Sequence, residues 1–424
     1  MDAATTVSCP GKVLLAGGYT ILERPNVGVV LCTDARFFSS VRWTGGGGTP
    51  PPDCGAGVLA CIDVDVSSPQ FRALYEYRLT IFAGAGAPGG PDAPALVPRH
   101  PDRHRPNPYV EGTLRAAVGF AQLFLGDAAL RAALRPTLEI RLRADNDFYS
   151  QLDALRAAGL PPTPTGAASL PRFAPCPAAE GGGATVVKTG MGSSAALVSS
   201  LAGALLRHLG AAALPHADGT APPDATAGRT RAHNLAQLCH TLAQGKVGSG
   251  FDVSAAAYGS QAYVRLSPGC LAGVLASEVA PSPAEVHACV TDGARWDTAV
   301  APLVLPPGVG LLLADVRGGS ETPSMVRRVL AWRRDGGPEA TQLWDGLVRT
   351  NRAVHATLAR LASFLDGEEG AASIRTLSAL DPSGWRDLVT DVDHQFSRLA
   401  VAARALCSLR ELLLAARAAL RSIG

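Results

Sequence analysis

Thr185-Val186-Val187-Lys188-Thr189-Gly190-Met191-Gly192-Ser193-Ser194-Ala195 is the stretch on which the fold turns. Thr185-Val186-Val187 has the β-branched composition of a strand. The two glycines predict a turn, and Ala195 to Leu209, rich in Ala and Leu and closed by Gly210, predicts a buried helix. Strand, glycine loop and helix in that order make an anion cradle. Gly190 and Gly192 let backbone N–H groups curl toward one point, and the helix adds the positive end of its dipole, so a triphosphate would be held there. It is not a Walker A loop, because no G-x-x-x-x-G-K-[ST] occurs and Lys188 precedes the glycines. A plain strand-to-helix turn with a serine N-cap fits the same letters.

Working outward, only Lys12, Lys188 and Lys246 among the 38 basic residues are lysine, and each sits beside a glycine-rich turn. Arginine supplies charge elsewhere, so compact ammonium groups are kept where exposed backbone N–H groups can meet an anion. Val7-Ser8-Cys9 and Val13-Leu14-Leu15-Ala16 predict short strands broken by Pro10-Gly11, and Val27 to Thr33 predicts another. Asn234 to Gln244 carries an i, i+3, i+4, i+7 stripe (Leu235, Leu238, Cys239, Leu242) and ends at Gly245, an amphipathic helix. Ser254 to Tyr258 begins a helix, Gln261 to Leu266 alternates as a strand, and Leu311 to Val316 predicts a strand before Gly318-Gly319-Ser320. The remainder is mostly helical. Gly45 to Gly57, Ala83 to Pro108, Leu160 to Gly183 and Ala211 to Gly228 are Gly-, Pro- and Ala-rich and read as surface insertions.

The chain has 424 residues, 47% of them hydrophobic and 17% charged, with a net charge of +2. That length suits two domains, and no sequence-wide basic field exists to hold nucleic acid or an anionic membrane. An anion site must be local. Nine scattered cysteines without a C-x-x-C pair argue against zinc and against a disulfide framework, and point to a reducing compartment. The N-terminus lacks a signal-peptide pattern, so a soluble cytoplasmic protein is expected; a peroxisomal address stays open, although the C-terminal Ser-Ile-Gly is no Ser-Lys-Leu signal.

Three segments together resemble the ordered motifs of the GHMP small-molecule kinases: Pro10-Gly11-Lys12-Val13-Leu14-Leu15-Ala16-Gly17-Gly18-Tyr19, Lys188 to Ala195, and Asp315-Val316-Arg317-Gly318-Gly319-Ser320-Glu321-Thr322-Pro323. Within that superfamily the Ala-Gly-Gly-Tyr ending, the run Ala243-Gln244-Gly245-Lys246-Val247-Gly248-Ser249-Gly250-Phe251-Asp252-Val253 and Gly-Gly-Ser-x-Thr-Pro look like the phosphomevalonate kinase family of plant and fungal type. The resemblance implies an α+β, two-domain GHMP fold. Residues 1–300 would form an S5-like α/β domain carrying the insertions, and residues 301–424 a ferredoxin-like domain. It also implies transfer of the ATP γ-phosphoryl group, with Mg2+, to the phosphate of 5-phosphomevalonate.

Residue by residue, the resemblance makes Lys12 and Asp252 the catalytic pair. Lys188, Gly190, Met191, Gly192, Ser193, Ser194 and Ala195 would bind ATP, with Asn107 of Asn107-Pro108-Tyr109 a candidate for an adenine or ribose contact. Lys246, Ser249, Gly319, Ser320 and Thr322 would meet the acceptor, and Ser194 the magnesium. Positioning and charge neutralisation carry most of phosphoryl transfer, which gives the lysines their physical role. A phosphate monoester has a second pKa of about 6, so the acceptor needs little deprotonation and Asp252 is expected to order Lys12 and the acceptor more than to act as base. Asp252 would equally N-cap a helix over Val253 to Tyr258, and Lys246 would equally meet the last carbonyls of its helix. Ser320 or Thr322 would likewise serve as a plain N-cap. Relatives place a glutamate on the helix before Asp252, but Asn234 to Gln244 has no acidic residue, so magnesium would rest on Ser194, phosphates and water. His233 and His240 share that helix at i, i+7, but without a third ligand they suit packing or capping better than metal.

Relatives continue past Leu413 to Gly424 into a Gly-Ala-Gly-Gly-x-Asp loop and final strands, so the resemblance implies an incomplete C-terminal domain here. Three readings follow: a phosphomevalonate kinase, a GHMP kinase for mevalonate or a sugar, or a nucleotide- or metabolite-binding protein without turnover. Gly17-Gly18 and Lys-Val-Gly-Ser-Gly-Phe-Asp favour the first.

Overall fold

The computed structural model describes residues 3–44, 54–85, 93–179, 184–277, 279–315, 322–390 and 397–423, except the side chains at 322, 323 and 382. The architecture is α+β. Two compact units form, one from residues 1–12, 32–257 and 266–297, the other from 13–31, 258–265 and 298–424. Strands β1 (Thr5–Ala16) and β2 (Val27–Thr44) each contribute one part to each unit.

In the first unit, β3 (Val58–Ser68), β4 (Ala73–Phe82), β5 (Ala95–Pro98) and β6 (Thr137–Ala144) join the second part of β2 in the order β5-β4-β3-β6-β2. All neighbours are antiparallel except β3 and β6, which run parallel with Val64 opposite Leu138. Period-two alternation puts Ile62, Val64, Val66, Tyr77, Leu79, Leu138, Ile140, Phe37 and Val41 on one buried face. The other face is charged, with Arg99 paired to Asp65 and Arg42 to Glu139.

The helices of this unit are α1 (Pro108–Leu125), α2 (Asp127–Ala133), α3 (Leu152–Ala157), α4 (Pro164–Ala168), α5 (Ser193–His208), α6 (Ala225–Gln244), α7 (Phe251–Tyr258), α8 (Gly269–Leu275) and α9 (Pro283–Thr291). Helices α1, α5, α6 and α9 pack on one another, their apolar residues sharing one core with the buried sheet face. A buried hydroxyl pair, Ser39 Oγ to Ser200 Oγ at 2.8 Å, ties β2 to α5.

That core also buries His233 of α6, whose Nδ1 lies 2.9 Å from Asn234 Oδ1 while Asn234 Nδ2 donates to the Val290 carbonyl. Burial pushes the His233 pKa down to about 4. An unfolded histidine takes up its proton near pH 6.5 and folded His233 only near 4, so stability is complete above that window and is lost as pH falls through it. Urea unfolding across this window is expected to show a loss of about 3 kcal/mol from this group. His233→Gln is expected to flatten that part of the slope, and an unchanged slope would exclude His233 as its source.

In the second unit, the first part of β2 pairs antiparallel with β7 (Gln261–Val264), and β7 pairs antiparallel with β8 (Ala299–Pro302). Five helices follow: α10 (Thr322–Asp335), α11 (Gly337–Phe364), α12 (Gly367–Ser378), α13 (Pro382–Thr390) and α14 (Arg398–Ile423). Val29, Leu31, Val354, Leu358, Leu361, Leu377, Ala402 and Ala403 form their core. Asn351 Nδ2 of α11 donates to Thr20 Oγ1 at 3.1 Å, both residues buried, which anchors the turn after β1. Gly17 in that turn has φ +105°, and a Cβ there would lie 2.7 Å from the Gly28 Cα, so two backbones meet where only glycine fits. Among the described residues no helix is long and apolar enough to cross a membrane.

Several expectations need correction. Val7–Cys9 and Val13–Ala16 are one strand, β1, which runs through Pro10-Gly11; among the described residues β1 pairs with β2 alone, and such an edge strand tolerates proline's missing donor. Thr185–Val187 is no strand: its surroundings hold only isolated bridges, Tyr149 with Lys188 and Ala178 with Ala184, and Val186 and Val187 are exposed. Leu311–Asp315 is not a strand either, and Leu312 is 82% exposed. Apolar letters without a pairing partner make no ladder.

The segment Ala211 to Gly228 is not loose throughout, since Ala211, Ala212 and Leu214 are core residues and α6 begins at Ala225. Strand β5 lies inside Ala83 to Pro108, and α4 inside Leu160 to Gly183. Of Gly45 to Gly57, residues 45–53 lie outside the described part.

Candidate active site

The glycine loop leads into α5 with an N-terminus built by Gly192, not by a serine. Gly190 and Gly192 have φ +85° and +76°, the left-handed region that glycine enters without strain. Ser193 follows, buried and hydrogen-bonded through its side chain to Tyr149, whose own hydroxyl burial pushes its pKa up. Met191 and Ala195 are buried against the core, so they carry the loop on packed anchors. The approach to the loop is held by Ser150 N–H donating to the Val187 carbonyl at 2.8 Å and Thr189 Oγ1 donating to the Asp147 carbonyl at 2.7 Å. Hydrogen bonds to the segment Asp147 to Ser150 thus stand where the valines suggested sheet pairing.

Lys12 is latched onto this loop at two points. Its backbone N–H donates to the Met191 carbonyl at 2.9 Å, and its Nζ donates to the Gly190 carbonyl at 3.0 Å. A Cβ on Gly192 would come within 2.9 Å of Lys12 Cε, so the glycine leaves the room in which the lysine stem lies. Below the ammonium sits the Phe251 ring, 5.3 Å from Nζ to the centroid, at the start of α7. Burial lowers the Lys12 pKa from the ordinary lysine value, and the Asp252 carboxylate opposes that shift. An ammonium held by one carbonyl, Gly190, and facing one carboxylate, Asp252, is short of negative charge, and a polyanion would supply it.

Asp252 lies in the first turn of α7 rather than at an N-cap, and its Oδ1 accepts the Val253 N–H at 3.0 Å. The Gly245 C-cap has φ +64°, and Lys246 beyond it is exposed, as is Lys188 on the other side of the loop. Both lysines lower the His240 pKa after burial, the largest cause, while Asp252 raises it. Lys188, Lys246 and Asp252 are therefore all within electrostatic reach of one imidazole on α6. That imidazole meets the cradle directly, with His240 Nε2 3.1 Å from Ser194 Oγ.

Asn107 N-caps α1, its Oδ1 accepting from Val110 N–H and its Nδ2 donating to Tyr75 Oη at 3.2 Å. Ser249 lies between Lys246 and α7, half-buried. Gly319 and Ser320 lie outside the described residues; Thr322 opens α10, with its side chain outside them. No group of three or more His, Cys, Asp or Glu among the described residues is arranged to hold a metal ion. His233 packs in the core instead, and Cys9, Cys61, Cys176, Cys239, Cys270, Cys289 and Cys407 are free thiols.

Sequence reasoning missed two partners. Tyr149 and His240 carry no pattern that points to Ser193 or Ser194, from which they are separated by 44 and 46 residues. The histidine drew notice only by its helical spacing.

No protein-family model matches the chain. Curated relatives do. "Phosphomevalonate kinase, peroxisomal" of Arabidopsis thaliana is 36% identical over 372 residues, covering 85% of this chain and 70% of the relative. "Phosphomevalonate kinase erg8" of Aspergillus fumigatus is 35% identical over 389 residues, covering 86% and 73%. Among solved structures, Streptococcus pneumoniae phosphomevalonate kinase in complex with phosphomevalonate and AMPPNP aligns with a TM-score of 0.44 at 12% identity, covering 95% of this chain and 80% of that one. At the identity and coverage of the plant and fungal relatives the assignment is direct: the chain belongs to the phosphomevalonate kinase family.

Proposed function

We propose that this chain transfers the γ-phosphoryl group of ATP to the phosphate of (R)-5-phosphomevalonate, giving 5-diphosphomevalonate and ADP. The observation that carries this reading is the double latch of Lys12 on the glycine loop, which sets one ammonium beside a helix N-terminus and next to Asp252. Donor and acceptor are both polyanions, and their mutual repulsion is the main obstacle to in-line attack. The loop N–H groups and the α5 dipole receive the donor phosphates. Lys12 stands where the transferred group passes, and its depressed pKa marks an ammonium that gains on meeting negative charge.

Exposed Lys188 and Lys246 flank the cradle as further cations, Lys188 for the nucleotide and Lys246 with Ser249 for the acceptor. Gly319, Ser320 and Thr322 complete the acceptor site in this reading. Asn107, its side chain committed to the cap, shapes the nucleotide side rather than reading the base.

Magnesium bound with the nucleotide would neutralise phosphate charge. The Ser194 hydroxyl at the cradle, an oxygen donor, fits a hard ion that keeps its waters and phosphate oxygens. Free thiols at Cys9, Cys61, Cys176, Cys239, Cys270, Cys289 and Cys407 favour a reducing compartment such as the cytoplasm, although the Arabidopsis relative is named as peroxisomal.

The test is incubation with Mg-ATP and, separately, 5-phosphomevalonate or mevalonate, following ADP and the phosphorylated product. Diphosphomevalonate formed from the first and nothing from the second is expected; turnover of mevalonate alone would sink the reading. Asp252→Asn separates two roles for the carboxylate. With a largely dianionic acceptor, kcat is expected to fall by only about tenfold, against the 10²- to 10⁴-fold typical of losing a general base. A loss beyond roughly 10³-fold would assign Asp252 the proton.

A further inference from the structure

The direction of one hydrogen bond decides what Ser194 can bind. Its Oγ lies 3.1 Å from His240 Nε2, and the same ring nitrogen lies 3.2 Å from Gln244 Nε2, one helical turn further along α6. An amide nitrogen donates and does not accept, so His240 Nε2 is the acceptor of that contact. A ring nitrogen that accepts from Gln244 carries no proton to give Ser194, so the two donors share its single lone pair in a three-centre contact and the serine hydroxyl points its proton toward the ring. The arrangement is rigid: His240 is 3% exposed, and its ring packs 5.8 Å from the Tyr109 ring at the start of α1. A hydroxyl with its proton committed keeps only lone pairs for anything in the cradle. It can ligate a cation, and it cannot donate to a phosphoryl oxygen.

We propose that His240, held by Gln244, is the positioning residue that turns the Ser194 hydroxyl into a cation ligand, so that Ser194 meets the magnesium of a bound Mg-nucleotide rather than a phosphate oxygen. This rests on the kinase reading above. The helix that presents His240 has no acidic residue from Asn234 to Gln244. Residues behind a metal ligand fix its orientation, and losing one typically costs 10- to 100-fold in metal affinity.

The experiment titrates ATP and ADP by calorimetry, with Mg2+ and with EDTA, into folded wild type, His240→Phe, His240→Gln and Gln244→Leu. In His240→Phe the affinity gained from Mg2+ is expected to drop by about 10-fold or more while metal-free affinity stays within about twofold. His240→Gln, which keeps an acceptor oxygen, is expected to recover most of the gain. Ser194→Ala combined with His240→Phe should lose no more than Ser194→Ala alone, because the two act as one unit. Equal losses with and without Mg2+, or additive losses in the double variant, would overturn the assignment. Should His240→Phe melt, Gln244→Leu carries the test, since it removes the donor that sets the ring and leaves Ser194 in place. Wild type that is folded yet binds neither nucleotide would defeat the kinase reading, and this assignment with it.

Discussion

Lys12→Ala is expected to lower kcat for diphosphomevalonate formation by roughly 10³-fold while leaving the protein folded. One cation aimed at a transferring phosphoryl group is commonly worth two to five orders of magnitude, because no water in the site can take its place. Stability should not follow activity. The Lys12 backbone N–H keeps its bond to the Met191 carbonyl whatever the side chain, while the Gly190 carbonyl and the Phe251 ring lose the ammonium. Burial lowers the Lys12 pKa, which means that the free protein holds this ammonium at some cost, so truncating it is expected to change the melting temperature little or to raise it. Lys12→Arg is expected to recover little, since a planar fork does not repeat a compact ammonium lying against Gly192 and over Phe251. Steady-state kinetics beside thermal melts decide it. A kcat within threefold of wild type would remove Lys12 from the chemistry, and a loss matched by unfolding would make it structural.

Gly192→Ala is expected to lower kcat by about 10²-fold at a stability cost of only about 1–2 kcal/mol. Two effects combine at this position. The backbone sits at φ +76°, where a Cβ is strained, and that Cβ would press within 2.9 Å of Lys12 Cε. A lysine stem can move away, so the fold tolerates the methyl group. The displaced ammonium leaves its bond to Gly190, however, and a shift of about 1 Å at a reacting centre costs about 10²-fold. Gly190→Ala is the matched control: its φ is +85°, but no atom lies within 4 Å of the added Cβ. Equal strain without displacement of Lys12 should leave most of kcat. Equal kcat losses in the two variants would show that loop strain, not the lysine, is responsible.

Local features were legible from the letters alone. Two glycines before an Ala- and Leu-rich run specify a turn and a helix through backbone freedom and propensity, and α5 begins two residues before its expected start. Of the α6 stripe Leu235, Leu238, Cys239 and Leu242, the first three are buried and Leu242 is half-buried, but Ala232 to Thr241 are buried all round, so this part of the helix is a core helix rather than the amphipathic one its spacing predicts. The lysines beside glycine turns were likewise visible, since arginine is used almost everywhere else.

Pairing and burial were not legible, because both depend on what arrives from elsewhere in the chain. Thr185–Val187 and Leu311–Asp315 have strand composition and no strand partner, whereas β1 continues through Pro10-Gly11 because β2 lies beside it. Ala211–Leu214 read as loose by composition and are core by packing. The same holds at the site: which residues form the glycine loop was evident in sequence, but that Lys12 would be tied to Gly190, Tyr149 to Ser193 and His240 to Ser194 was settled only by the tertiary fold. The chain's own letters determined the loop, the helix behind it and the cations available. Tertiary structure alone decided which lysine reaches the loop and which imidazole meets Ser194, because a hydrogen bond between distant residues leaves no local pattern in the chain.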